Sequence, residues 1–183
     1  MIYMQMFYGK KANGKLEDIL IENPKSIIQV NERKGKQGQL PFFTSGEAIL
    51  NAEIPIISGR NCYLSTGGNA NISYFVGDAS YSTDTWCITA KDNLSDYMYL
   101  MLNSIKLEIN KKFFQGTGLK HLQKHMLRTK DIYIPTQKEL IIFNNLVNEI
   151  FTTISKNFIE NKKLKCSLNY LLPLLINGQV SIN

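Results

Sequence analysis

Apolar positions follow two different patterns along the chain, and the change falls near Pro135. Between about Lys15 and Ile134 they come in short β-type segments, residues 40–43, 54–58, 62–65, 72–76 and 86–89, separated by clusters of Gly, Ser, Asn and Asp. Short apolar segments bounded by turn-forming residues predict a compact, β-rich domain. Late in this region Ser95 stands where a hydroxyl can cap a helix running through Tyr97, Leu100, Met101 and Ile105. Gly116 and Gly118 then mark a loop, and a second, shorter helix is predicted from Leu119 to about Met126.

Beyond Pro135 the sequence Thr136-Gln137-Lys138-Glu139 is a capping box, in which hydroxyl and carboxylate each satisfy a free amide at a helix start. Neither Gly nor Pro interrupts the chain from there to Pro173, so a helix of about 36 residues and about 54 Å is expected. Leu140, Phe143, Val147, Ile150, Ile154, Asn157, Asn161, Leu164, Leu168 and Leu171 recur in alternating steps of three and four. That spacing is the seam of a coiled coil, and the stripe needs a partner. A single amphipathic helix lying on the preceding domain is the simpler alternative, but a small domain cannot cover one so long. The expected architecture is α+β: a β-rich mixed domain over residues 1–135, then a long coiled-coil helix and tail over residues 136–183.

Composition narrows the function. The chain has 183 residues, 44% of them hydrophobic, enough to form a real core. A formal charge of +6 and a pI near 9.1 favour an anionic partner, since Lys and Arg that neutralise phosphates release condensed counterions. Cys62, Cys87 and Cys166 are odd in number and widely spaced, matching neither a disulfide framework nor a zinc site. They are expected to be reduced, in a cytoplasmic protein. Residues 1–11 are apolar and aromatic, with no basic stretch before the apolar part and no small-residue cleavage site. No apolar run reaches the roughly 20 residues needed to span a bilayer, so no membrane association is expected.

One segment stands out as candidate chemistry. Gln115-Gly116-Thr117-Gly118-Leu119-Lys120-His121-Leu122-Gln123-Lys124 sets a glycine loop before the predicted short helix bearing Lys120, His121, Lys124 and His125. Backbone amides at a helix start and a cationic first turn favour a phosphate or a base edge. The same residues could also form only a tight turn and a solvated basic face. The strand ending in Ser65-Thr66-Gly67-Gly68-Asn69 offers further hydrogen-bonding side chains, and Arg60 just before it could fork onto guanine. Arg33, Lys34 and Lys36 form a basic loop, while Trp86, Tyr74 and Tyr81 read as structural aromatics.

Several chemistries lack their signatures. There is no GxxxxGK[ST] loop, no GxSxG elbow and no HExxH, although His121 and His125 stand four apart on the predicted helix. Asp78, Asp84 and Asp92 are scattered, without a metal-dependent nuclease pattern, and no glycine-rich fingerprint for a methyl donor is present. No cofactor, no metal and no catalytic residue is expected.

The order of the pieces resembles a DNA-specificity subunit of type I restriction-modification systems. The likeness rests on Leu40-Pro41-Phe42-Phe43-Thr44-Ser45-Gly46, Ser65-Thr66-Gly67-Gly68, Tyr81-Ser82-Thr83-Asp84-Thr85-Trp86 and Gly116-Thr117-Gly118-Leu119-Lys120-His121-Leu122. It continues through Ile132-Tyr133-Ile134-Pro135 and Leu171-Leu172-Pro173-Leu174-Leu175-Ile176-Asn177-Gly178. The resemblance implies a target-recognition domain that reads a half-site of double-stranded DNA. It also implies a helix that pairs antiparallel with another to set the spacing of two half-sites, and docking of methyltransferase and restriction subunits that carry the chemistry. On that reading Arg60, Gln115, Thr117, Lys120, His121 and Lys124 are the expected DNA contacts, and the helix stripe is the dimer seam of a homodimer or a pair of halves. The specificity subunit of a type II-like enzyme, and a coiled-coil assembly protein that binds no DNA, are the alternatives. Thr136 and Leu140 stand where members of that family commonly have proline and glutamine.

Overall fold

The structure is a computed structural model, and it describes residues 2–179. In chain order the elements are α1 (Ile2–Met6), β1 (Gly14–Lys15), α2 (Leu16–Ile19), β2 (Leu20–Glu22), α3 (Val30–Arg33), β3 (Leu40–Phe43) and β4 (Ile49–Ala52). There follow β5 (Arg60–Ser65), β6 (Ile72–Val76), β7 (Ser80–Tyr81), β8 (Thr85–Ala90), α4 (Ser95–Ser104) and α5 (Lys106–Lys112). The chain closes with β9 (Phe114–Gln115), β10 (His121–Leu122), α6 (Lys124–Arg128), β11 (Asp131–Ile132) and α7 (Gln137–Ile176).

An antiparallel sheet in the order β2-β8-β5-β6 forms the centre, with Tyr63 opposite Cys87 and Cys62 opposite Tyr74. Because β5 is interior, its residues 61–65 are buried on both faces, which is why they read as a continuous run and not as an alternation. Cys62, Leu64, Trp86 and Ile88 point to a large core shared with α4 and α7, while Tyr63 and Cys87 point to a smaller aromatic core with Phe43, Phe75 and Tyr81. The second sheet, β4-β3-β7, covers that smaller core and pairs β3 with β7 in parallel. Phe43 stacks on Tyr63 with centroids 4.0 Å apart. Cys62 and Cys87 act as small apolar residues here; burial pushes the Cys87 thiol up to about 12.

Several local expectations are corrected by the tertiary structure. Residues 54–58 are not a strand: Pro55 has no amide to give, Ile56 and Ile57 both donate to the Ala79 carbonyl, and the Ala79 amide returns to the Ile57 carbonyl in an isolated bridge. The strand lies earlier, at β4. Ser95 does not cap α4 but opens it, its hydroxyl tying back to the Ala90 amide at 3.1 Å and to Thr89 at 2.9 Å. The helix expected over residues 119–126 divides into β10, which pairs with β9, and the later α6. His121 and His125 therefore share no helix face.

α7 runs 40 residues, about 60 Å, straight through Pro173. That proline is three residues from the helix end, so its missing amide costs a single bond. The Thr136 capping box forms as expected and Glu139 carries it: its carboxylate takes the Thr136 amide at 2.8 Å, the Tyr133 hydroxyl at 2.8 Å and an ion pair from Lys10. With Lys10 as the largest influence, that carboxyl is held at about 2.

The expected seam is also corrected. Leu140, Phe143 and Val147 are 3%, 0% and 2% exposed and belong to the chain's own core, so these three face the domain and not a partner. The same face continues with Phe151, Ser155 and Phe158; Ser155 accepts from the Val76 amide at 2.9 Å. Lys162 then donates to the Leu40 carbonyl at 2.8 Å, and from residue 163 to 173 every side chain is exposed. α7 is thus not a separate unit after residue 135: its first half completes the domain core and its last third projects as an arm. The tail beyond residue 179 lies outside the described residues.

Candidate nucleic-acid interface

The glycine-rich segment forms a β-hairpin. β9 and β10 pair Gln115 with His121 and Phe114 with Leu122, and the loop between them is exposed. Gly116 sits at φ +147°, and a Cβ there would meet the Leu119 carbonyl oxygen at 2.6 Å, so only glycine closes this turn. The anchoring is tertiary. Gly68, also in the left-handed region at φ +78°, gives its amide to the Lys120 carbonyl at 2.8 Å, and Leu122 gives its amide to the Thr66 carbonyl at 2.9 Å. The two stretches most rich in glycine therefore hold one another at one edge of the domain.

Gln115, Thr117, Lys120 and His121 are brought together on this hairpin, all exposed. No side-chain hydrogen bond or ion pair holds Thr117, Lys120 or His121 among the described residues, so their polar groups are available to a ligand. Lys124 is nearby but engaged. Its ammonium lies 3.0 Å from Glu22 and 4.9 Å from the Trp86 ring centroid. Burial works to raise the Glu22 carboxyl, and the hydrogen bond and charge of Lys124, with Arg128 at 3.6 Å, outweigh it and hold it low.

Arg60 is elsewhere. It begins β5, whereas the hairpin docks just past the other end of that strand, about 17 Å away at 3.3 Å per residue. Its guanidinium forks onto the buried Asp96 carboxylate at 2.8 Å and gives its other arm to the Asn148 carbonyl and the Thr152 hydroxyl on α7. Arg60 locks α7 to α4 and β5, which is a correction of its expected contact with guanine. Arg33 is similarly engaged, with the Asn51 and Gln37 carbonyls.

Between the hairpin, the 66–71 turn and the loop after β3 lies a cleft of about 560 Å³. It is built by hydrogen bonds among those loops: Asn71 to the Gly46 carbonyl at 2.8 Å, Thr66 to the Asp84 carbonyl at 2.8 Å, and Ser45 to the same carbonyl. Ser45, Glu47, Asp84 and Lys106 line it, and sequence spacing gave no sign of this, because the four come from two separate loops and a helix start. Two larger grooves, of about 710 and 720 Å³, flank α7 as it leaves the domain. No helix among the described residues is long and apolar enough to cross a membrane.

Fold and site together define a β-rich domain with an exposed hairpin, carried on a long projecting helix. The sequence profile of the type I restriction modification DNA specificity domain matches residues 9–170, and the chain belongs to that family. No curated protein matches. Among solved structures, the chain is similar to the type I restriction-modification S subunit from M. genitalium, with a TM-score of 0.64 and 12% identity over 88% of this chain and 45% of that one. A chain from the structural work on complex assembly and conformational transition of the type I R-M system matches with a TM-score of 0.54 and 13% identity, over 91% of this chain and 46% of that one. At such identities the likeness is one of fold, and this chain spans less than half the length of either.

Proposed function

We propose that the chain is the DNA-recognition subunit of a restriction-modification system, reading one half-site of duplex DNA and presenting it to methyltransferase and nuclease subunits, with no catalysis of its own. The observation that carries this reading is family membership over residues 9–170. The exposed hairpin bearing Gln115, Thr117, Lys120 and His121 supports it: Lys120 has the chemistry to neutralise a phosphate, and Gln115 and Thr117 to meet base edges. Lys124, braced over Trp86, is a lesser contact.

The arm of α7 is an apolar surface in need of cover, and its pattern favours a second copy of the chain. Ile142, Leu146, Ile150, Ile154 and Asn157 form one exposed stripe with Asn161, Leu164, Leu168, Leu172 and Ile176. The stripe is symmetric about the level of Ile159: Asn157 mirrors Asn161, Ile154 mirrors Leu164, Ile150 mirrors Leu168, Leu146 mirrors Leu172 and Ile142 mirrors Ile176. Two identical helices laid antiparallel would match apolar to apolar in four layers on each side of two central amide pairs. Lys156 and Glu160 share one flank of the stripe, so each would meet its opposite charge across the two-fold axis. Each free arm would lie on the domain-braced half of its partner, and the two reading domains would sit at opposite ends.

A genome-wide methylation map of the host, with this gene intact and deleted while the neighbouring methyltransferase gene is kept, tests the reading. Loss of methylation at one split motif is the expected result, palindromic if identical copies pair. An unchanged map with an active methyltransferase overturns it.

A further inference from the structure

The cleft beside the hairpin is lined by two carboxylates, Glu47 and Asp84. Of the chain's 15 carboxylates, Glu22, Asp96, Glu108 and Glu139 are in ion pairs; Glu47 and Asp84 are among those that are in none among the described residues, and they are the two that line this cleft. The Asp84 backbone carbonyl accepts from the Ser45 and Thr66 hydroxyls, and its side chain is uncommitted and exposed; Glu47 is exposed on the adjoining loop. Both line one cleft with Asn69, Lys106, Leu119 and His121, directly beside the hairpin loop. The described residues contain no group of three or more His, Cys, Asp or Glu able to hold a metal ion.

A carboxylate on a surface that receives phosphates is repelled by them and weakens binding to every sequence alike. On a base edge the same group is useful, because it only accepts hydrogen bonds, and the donors in the major groove are the exocyclic amines of cytosine and adenine. We infer that Glu47 and Asp84 are specificity-determining residues, each accepting from the amino group of a cytosine or adenine in the half-site, with Lys106 and the hairpin cations offsetting their charge against the backbone. A base presenting a carbonyl at that position, guanine or thymine, would set oxygen against oxygen. The cleft thus selects by rejection as much as by attraction.

This rests on the DNA-reading function proposed above, and one experiment separates the two. The full chain and its Glu47→Gln and Asp84→Asn variants are each incubated at low salt with a random-sequence duplex library, and the bound DNA is sequenced. Both substitutions keep size and remove charge from exposed side chains, and circular dichroism confirms the fold. The wild-type chain is expected to enrich a motif. Each variant is expected to relax one position that is cytosine or adenine on one strand, losing about tenfold or more in preference there, because an amide also donates and so accepts guanine or thymine. An unchanged motif with uniformly tighter binding to all duplexes would mean that the acids are solvated surface charges and overturns the inference alone. A wild-type chain that enriches nothing overturns the inference together with the DNA-reading function.

Discussion

The two ends of α7 have similar apolar content and opposite fates. Between Gln137 and Lys162 one face is buried against α4 and two sheets, pinned by Arg60, Ser155 and Lys162, and a second face is open. From residue 163 to 173 the whole circumference is open, with Leu164 60% and Leu168 58% exposed. A helical arm of this length is marginal in water when unsupported, since helix stability comes chiefly from packing an apolar face. The contrast teaches that hydrophobic periodicity alone does not say who the partner is. The braced half found its partner within the chain, and the arm still requires one.

The largest effect that would separate these halves is on folding. Phe143→Ala removes a fully buried ring that meets Phe7 and Tyr97, and denaturant titration should show a loss of about 3–5 kcal/mol. Leu168→Ala on the arm should change the unfolding of the domain by no more than about 0.5 kcal/mol; a loss comparable to that of Phe143 would mean that the arm is packed within the chain.

Next in size is the lock between the halves. Arg60→Ala leaves Asp96, 1% exposed, without its cation and should cost about 2–4 kcal/mol, below the full buried-pair value because the Arg60 side chain is 29% exposed. DNA binding per folded molecule should be unchanged. A fall in that affinity would return Arg60 to the DNA surface.

The arm's proposed register is open to a cross-linking test in a Cys166→Ser background. Mixed Ile154→Cys and Leu164→Cys chains should form an interchain disulfide on mild oxidation, while neither chain does so with itself. Self-cross-linking of either variant would indicate parallel pairing, and a monomer in sedimentation would leave the arm to a different partner.

A smaller effect lies at the helix start. The Glu139 carboxyl is held at about 2, against an ordinary value of 4.5, so the stability it contributes is complete above the ordinary value and lost as pH falls from there through about 2. Glu139→Gln should therefore flatten the acid side of the stability profile in that window and leave stability less dependent on pH; an unchanged profile would show that the cap and the Lys10 pair are idle. Smallest is Lys120→Ala: the slope of log binding constant against log salt should decrease by about 0.9, with no change in the preferred sequence.

How much was legible depends on the range of the interaction. The Thr136 cap, the long helix, β3, β5, β6 and β8 follow from neighbours a few residues apart, and the sequence shows them. The hairpin is different: residues 119–122 have a helical look locally, and only the bonds to Thr66 and Gly68 turn them into a strand. The α7 stripe was legible as apolar and not as two faces, because steps of three and four describe a helix surface without saying which side the domain takes.

The amino-acid sequence by itself determined the α+β plan, the position where the helix begins, the basic balance and the glycine segments that close tight turns, all of which are local in origin. Tertiary structure alone decided that Arg60 locks the helix, that Leu140, Phe143 and Val147 belong to the core, and that Glu47, Asp84 and Lys106 share a cleft with His121. Those outcomes come from side chains far apart in sequence being brought into contact, as in Arg60 to Thr152, 92 residues on, and Phe7 to Phe143, and no spacing along the chain encodes such a meeting.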